Sequence, residues 1–218
     1  MSEIINELIK RFEINKDFTL DYHLATLDGL EKKARCLFFI GESIKISEYK
    51  NNTQLGCMLQ EVFLDLTNSI YLIMYSHYRP AYHSLRSALE LTVASVYFTD
   101  HPVEFHKWQK DGIDFHFSNT VKEIFSVGYS EAINSSFVPN SNEILNTYRT
   151  LSQYVHGKYE FLSILEDSVS SYNPHKLENY IGIFSSTFNI IMDCCDFRFK
   201  KEAIASSLIY PYLGNFLK

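Results

Sequence analysis

The sequence predicts an all-α protein, a single helical bundle with one long irregular loop at about residues 118–140. Apolar residues recur at three- and four-residue steps along most of the chain, which is the period of an amphipathic helix. The 218 residues include only eight Gly and five Pro, which suits long helices joined by few turns. With 46% hydrophobic and 21% charged residues, the composition is that of a folded globular chain.

The first predicted helices lie in the N-terminal half of the chain. Residues 27–46 carry one helical stripe of apolar side chains, and residues 55–73 carry a second. A third stripe covers residues 82–98, after Pro80, whose missing N–H is tolerated in the first turn of a helix. The second and third stripes, joined near residues 77–79, predict an antiparallel helical hairpin.

The C-terminal half is predicted to be helical with one interruption. Residues 103–117 form a shorter helical candidate that contains Trp108. Residues 118–140 are rich in Ser and Asn, which favours a long loop or lid with at most short helices inside it. No internal repeat or linker divides the chain, so one bundle is the simplest architecture.

Two asparagines mark the start of the remaining helices. Asn140, with a Glu three positions later, predicts the cap of a helix that stops near Gly157. The Asn173–Pro174 pair predicts the start of a long helix that reaches about Phe199. Residues 202–212 predict a last helical segment.

Charge, cysteine spacing and the N-terminus indicate the class of protein. A formal net charge of −6 counts against a broad surface that coats nucleic acid, but it leaves room for a local anion site. No Cys-x-x-Cys pair occurs, so we expect free thiols in a reducing compartment. Residues 1–12 mix charged and apolar side chains, unlike a signal peptide, and no apolar run approaches the ~20 residues that span a bilayer. The sequence therefore predicts a soluble cytoplasmic protein.

A polar stripe on the helix after Asn140 is the most informative part of the sequence. Arg149 and His156 are seven positions apart, with Ser152 between them. On an ideal helix they differ by ~20° and lie ~10.5 Å apart along the axis. Their stripe lies about a quarter-turn from the apolar stripe, at the edge of the buried face. A site at that edge is both fixed in place and reachable.

These side chains are suited to metal-free cleavage of RNA. Arg149 offers a permanently charged planar group for phosphate oxygens, and His156 exchanges a proton near neutral pH. His156 would act on the 2′-hydroxyl or the leaving oxygen while Arg149 stabilises phosphoryl charge, and Ser152 would orient either one. The alternative is a structural role, in which His156 caps its helix and Arg149 holds a neighbouring carboxylate.

Arg86 and Glu90 lie one turn apart on the preceding long helix, with His83 on the same side. One hypothesis makes Glu90 an acid that orients Arg149 or His156 from this neighbouring helix. The other makes Arg86 and Glu90 a plain intrahelical ion pair.

A family resemblance follows from these residues. The segment Arg149–His156 fits an Arg-x(4–6)-His motif with six intervening residues. Such a motif late in an all-α bundle is the signature of the HEPN superfamily, which includes RNases of toxin–antitoxin, abortive-infection and CRISPR systems. The run Arg86–Glu90 and Trp108 also look like uncharacterised bacterial HEPN-like proteins. The resemblance covers roughly residues 53–199, which implies one HEPN-like domain over residues 1–218 with helical extensions at both ends.

The resemblance implies a function and partners. It predicts a metal-independent endoribonuclease in bacterial defence or stress response, with catalytic Arg149, Ser152 and His156 and supporting Glu90 and Arg86. It also implies an RNA substrate, a homodimer and a protein antitoxin or sensor as partner. One alternative is a non-catalytic helical interaction subunit, which the acidic net charge favours. Another is a bundle that binds a small molecule in an aromatic pocket away from Arg149.

Other chemistry has little support in the sequence. There is no Gly-rich phosphate loop, Ser nucleophile motif or dinucleotide fingerprint, so no cofactor is expected. Trp108 is interpreted as a core anchor. A group of His and acidic residues lacks the spacing of a metalloprotease and is interpreted as a solvated polar face: His101, Glu104, His106, Asp111, Asp114 and His116.

Overall fold

Helices make up nearly all of the structure, a computed structural model that describes residues 3–156 and 171–217. In chain order they are α1 (Glu3–Lys45), α2 (Asn52–Met74), α3 (Tyr78–Asp100), α4 (Pro102–Asp111), α5 (Phe117–Ile124), α6 (Val127–Ala132), α7 (Ser141–Val155) and α8 (Pro174–Ile209), followed by a 3₁₀ helix (Pro211–Phe216). Neither described range contains a β-strand. The predicted all-α fold class is confirmed.

The four longest helices form the bundle. α1, α2 and α3 are consecutive antiparallel neighbours, and α8 packs against both α1 and α3. Their apolar side chains join in one continuous core, where rings of α8 such as Tyr180, Phe184 and Phe188 are completely enclosed. α7 packs on α3, and near its C-terminal end the hydroxyl of Tyr154 accepts a hydrogen bond from Asn179 of α8 at 2.8 Å. The core therefore fixes α3, and α3 fixes α7.

The crossing of α1 and α2 depends on two glycines. A Cβ atom on Gly41 would lie 2.7 Å from the backbone oxygen of Gly56, and a Cβ on Gly56 would lie 2.5 Å from the backbone oxygen of Gly41. Atoms in a close-packed interior do not approach so closely. Glycine at both positions is what allows the two helices to touch through their backbones.

A cluster around Asp100 ties α3, α6 and α8 together. Arg198 of α8 binds both carboxylate oxygens of Asp100, with N–O distances of 2.8 and 2.6 Å. The hydroxyl of Tyr129 donates to Asp100 Oδ2 at 2.7 Å. Burial on its own raises the pKa of Asp100, but the hydrogen bonds from Arg198 and Tyr129 hold it below its ordinary value. The end of α3 is thereby anchored to two other helices.

Most predicted boundaries in the helical hairpin and at the caps are confirmed. α2 and α3 form the hairpin, and Pro80 lies in the first turn of α3. Asn140 Oδ1 accepts two backbone N–H groups of α7 at 3.0 and 3.3 Å. Asn173 Oδ1 accepts one backbone N–H of α8 at 3.0 Å. Gly157, the predicted end of α7, lies outside the described residues.

α1 begins at Glu3, well before the predicted start at residue 27. The apolar pattern missed this part because two buried positions on α1 are polar, Asn15 and Thr19. The hydroxyl of Thr19 donates to the backbone oxygen of Asn15 at 2.8 Å, and Asn15 Oδ1 accepts the backbone N–H of Tyr172 at 3.0 Å. Hydrogen bonds satisfy these buried positions, so the stripe of apolar residues ends before the helix does.

Two differences from the prediction appear in the C-terminal half, on either side of a segment that agrees with it. The predicted helix at 103–117 ends early, as α4, because Gly112 has a left-handed φ of 64°. The predicted loop at 118–140 holds the short helices α5 and α6, which the prediction allowed. The predicted break after Phe199 is a kink inside α8, where this residue has φ −118° and ψ 31°.

The cysteines are free thiols, as predicted: Cys36, Cys57, Cys194 and Cys195.

Candidate functional site

Two arginines of α3 set the register of α7. Arg79 Nη2 donates to the backbone oxygen of Val155 at 2.7 Å, at the C-terminal end of α7. Arg86 Nη2 donates to the hydroxyl of Tyr148 at 2.7 Å, two turns back along α7. The contacts run in opposite order along the two helices, so α3 and α7 are antiparallel. These contacts also fix which side of α7 faces solvent.

Arg149 and His156 both lie on the exposed side of α7. Arg149 Nη1 donates to the amide oxygen of Asn146 at 2.8 Å, a neutral partner that adds no compensating negative charge. In residues 3–156 and 171–217, no carboxylate lies within ion-pair distance of Arg149. The alternative in which Arg149 holds a neighbouring carboxylate is therefore wrong for the described part of the chain.

His156 is the C-terminal cap of α7. Its backbone N–H donates to the backbone oxygen of Ser152 at 2.9 Å, and its side chain is exposed. The capping half of the alternative interpretation thus applies to the backbone of His156. The hydroxyl of Ser152 donates to the backbone oxygen of Tyr148 at 2.8 Å. This bond is directed to its own helix, so it does not serve the predicted orienting role of Ser152.

Glu90, Arg86 and Tyr148 form a closed hydrogen-bonded group. Glu90 Oε1 accepts from Arg86 Nε at 3.2 Å, from Arg86 Nη2 at 3.1 Å and from the hydroxyl of Tyr148 at 2.7 Å. Tyr148 occupies the side of α7 that faces α3 and so reaches Glu90 first. Within the described residues, Glu90 makes no hydrogen bond to Arg149 or His156, which is a correction to the hypothesis that it orients them. The ion pair between Arg86 and Glu90 is confirmed.

Burial and charge set the protonation of this group. Burial opposes the charge of Arg86, but the carboxylate of Glu90 and the hydroxyl of Tyr148 together more than offset this effect and raise the pKa of Arg86. Burial, followed by the hydrogen bond to Glu90, raises the pKa of Tyr148. Tyr148 is therefore a neutral donor near pH 7, and Phe117 of α5 stacks on its ring at 4.0 Å. The group joins α3, α5 and α7, and its member Tyr148 directly precedes Arg149 on α7.

Arg79 of α3 also lies beside α7, and no sequence pattern predicted it as part of the site. It is exposed, and its bond to Val155 satisfies one of the carbonyls that a helix leaves free at its end, next to His156. Arg79 and Arg86 are seven positions apart on α3, the same spacing as Arg149 and His156 on α7. The spacing places Arg79 and Arg86 on one face of α3, but no sequence pattern indicates that Arg79 reaches Val155.

The His and acidic residues around α4 contact other side chains of the protein. His101 stacks on Tyr97 with ring centroids 4.0 Å apart, and its Nε2 lies 3.5 Å from the carboxylate of Glu123. Trp108 is half-buried against the core, as predicted. Across the two described ranges, no group of three or more His, Cys, Asp or Glu side chains is placed to hold a metal ion.

Comparison with known proteins gives no relative from which a role is transferable. No protein-family model, curated protein or solved structure matches the chain. The resemblance to HEPN proteins therefore rests on the residues from Arg149 to His156 and on the helical fold around them. The part of the chain that the structure describes also contains no helix that is long and apolar enough to cross a membrane.

Proposed function

We propose that the protein is a metal-independent endoribonuclease of the HEPN type, acting in bacterial defence or stress response. The exposure of Arg149 and His156 on one face of α7 is the observation that carries the proposal. Arg149 is bonded to a neutral amide, so its charge is available to a phosphate. The imidazole of His156 is at the surface, where it exchanges protons with a bound substrate.

In the proposed reaction, Arg149 binds the phosphate that is cleaved. His156 removes the proton of the 2′-hydroxyl, the 2′-oxygen attacks phosphorus, and the bond from phosphorus to the 5′-oxygen breaks. The products are a 2′,3′-cyclic phosphate and a 5′-hydroxyl, and a second acid supplies the proton of that hydroxyl. Arg149 stabilises the negative charge that builds up on the phosphoryl oxygens. Arg79, on the neighbouring helix α3, binds an adjacent phosphate.

The need for both a base and an acid leads to the proposed homodimer. One imidazole does not serve both roles in a single step. A symmetric pair of chains places two copies of the Arg149 and His156 side chains in one cleft, and the second His156 then protonates the leaving oxygen. Such an activity needs control in the cell, so a protein antitoxin or sensor is the proposed partner, by analogy with the family alone.

A non-catalytic helical interaction subunit is the second candidate. Two observations favour it. The net charge of −6 weakens attraction to RNA, and Glu90 is occupied by Arg86 and Tyr148 instead of supporting His156. In this alternative the exposed face of α7 contacts a protein.

Cleavage of RNA by matched variants distinguishes the two candidates. We expect His156→Ala to lower the cleavage rate at least about a hundredfold through loss of acid–base catalysis. Arg149→Ala should lower it by about the same factor through loss of charge stabilisation, and both should abolish toxicity in cells. His175→Ala is the matched control, because His175 is exposed at the start of α8. Equal cleavage by all four proteins, each shown to be folded by circular dichroism, would rule out the nuclease.

A further inference from the structure

A cavity of about 220 Å³ lies between the end of α3, α4 and α5, and none of the residues of the nuclease proposal lines it. Aromatic rings form its walls. Phe98 is central, with its ring centroid 5.4 Å from that of Trp108 and 6.0 Å from that of Phe115. Tyr97 closes another side, 6.4 Å from Phe115. The faces of such rings carry partial negative charge, which attracts cations.

Carboxylates from three different segments line the same cavity. Glu104 comes from α4, Glu123 from α5 and Asp114 from the turn between these helices. Among the described residues that line the cavity there is no Lys or Arg, and His116 is the one that carries an imidazole. The lining therefore combines ring faces with an excess of negative charge.

The basic side chains near the cavity offset only part of this negative charge. Lys107 Nζ binds Glu104 at 2.8 Å, and His101 Nε2 lies 3.5 Å from Glu123. Burial raises the pKa of Tyr97, the charges of Glu123 and Glu104 raise it further, and the charge of Lys107 only partly opposes them. The two carboxylates thus both act on Tyr97, in the wall of the cavity, although they come from different helices.

We propose that this cavity binds a small organic cation of the alkylammonium class. Ring faces and nearby carboxylates together are what recognises a methylated or alkylated ammonium group. A metal ion is a poorer fit, since no group of three or more possible ligands comes together within the described residues. The volume lies below the ~300–1,000 Å³ of pockets for drug-sized molecules, so the ligand is small.

The protein carries its own reporter for this site. Trp108 lines the cavity and is the single tryptophan of the chain, so a change in tryptophan fluorescence reports binding there. The full chain is titrated with choline, with tetramethylammonium, and with 3,3-dimethyl-1-butanol, the uncharged isostere of choline. Sodium chloride at matched ionic strength controls for screening.

We expect a saturable fluorescence change with both ammonium compounds and none with sodium chloride. The neutral isostere should bind roughly tenfold more weakly or worse, because it lacks the charge that the rings and carboxylates attract. The double variant Glu104→Gln/Glu123→Gln should weaken binding of choline by a similar factor. Both side chains are partly exposed, at 41% and 53%, so the fold is expected to tolerate the change.

Asp111→Asn is the matched control for charge, because Asp111 ends α4 but does not line the cavity. It should bind choline as the unmodified chain does. Three results would overturn the proposal: no saturable change with either ammonium compound, equal affinity for the neutral isostere, or unchanged affinity in the double Gln variant. Isothermal titration calorimetry on the same proteins confirms that a fluorescence change reflects binding.

Discussion

At the scale of single residues, the arginines divide by the partners that they bind. Arg198 and Arg86 are half-buried and bound to carboxylates, which makes them part of the packing between helices. Arg149 is exposed and bonded to an amide. A carboxylate that holds a half-buried arginine contributes to stability, whereas an exposed arginine with a neutral partner retains its charge for a ligand. Stability and activity should therefore respond to different substitutions.

The Asp100–Arg198 pair gives the residue-scale prediction. Asp100→Asn should lower the free energy of unfolding by about 2 kcal/mol at pH 7, because it leaves Arg198 half-buried without its carboxylate. The pKa of Asp100 is lowered in the folded protein. The stability from the pair is therefore present above the ordinary value of 3.8, and it is lost as the pH falls through the lower pKa of the folded state.

Urea unfolding of Asp100→Asn and the unmodified chain, from pH 7 down to about pH 2, tests this prediction. The difference in stability should shrink as the pH falls below 3.8. Asp21→Asn, at an exposed position of α1, is the control and should match the unmodified chain throughout. A constant difference over the whole range would show that the charge of Asp100 does not stabilise the fold.

At the scale of elements, the sequence predicted a helix wherever an apolar stripe and a cap agree. α2 and α3 have such stripes, and α7 and α8 begin at the asparagine caps that the sequence showed. The first half of α1 was missed because Asn15 and Thr19 place polar groups on its buried side. The end of α4 was missed because it depends on the left-handed backbone of Gly112, which many glycines do not adopt.

In the candidate site, too, the sequence predicts local geometry but not the contacts between helices. The shared face of Arg149 and His156 follows from helical geometry alone, so the sequence predicts it. The partner of Glu90 depends instead on how α7 is rotated against α3. That rotation places Tyr148 at the contact, and no local pattern specifies it. Arg79 was missed for the same reason, since its bond to Val155 joins residues distant in sequence.

The glycine crossing gives the prediction at this scale. Gly41→Ala and Gly56→Ala should each lower the free energy of unfolding by about 1–3 kcal/mol, because the added methyl group meets backbone that has no room to move. Gly29→Ala should instead raise stability by up to about 1 kcal/mol, since it lies inside α1 with nothing within 4 Å of its Cβ position. Thermal and urea unfolding of the three variants measures the effect. Stability gains at all three positions would contradict the close crossing.

At the scale of the whole molecule, the proposed nuclease has an acidic net charge but carries exposed arginines on two neighbouring helices. The net charge is −6, yet Arg79 and Arg149 are both exposed on the neighbouring helices α3 and α7. A second copy of the chain would double this local positive charge as well as supply a second His156. The proposed homodimer thus meets both the need for an acid and the need to attract RNA.

Mixed dimers test that assembly directly. When the unmodified chain exchanges subunits with a threefold excess of His156→Ala, only about a quarter of the unmodified subunits pair with each other under random association. Cleavage per unmodified subunit should fall to about the same fraction, because a dimer with one imidazole lacks either the base or the acid. A threefold excess of His175→Ala should cause no such loss, since its subunits keep His156. If His156→Ala leaves the rate per unmodified subunit unchanged, although size-exclusion chromatography shows mixed dimers, each chain has an independent site and the shared cleft is wrong.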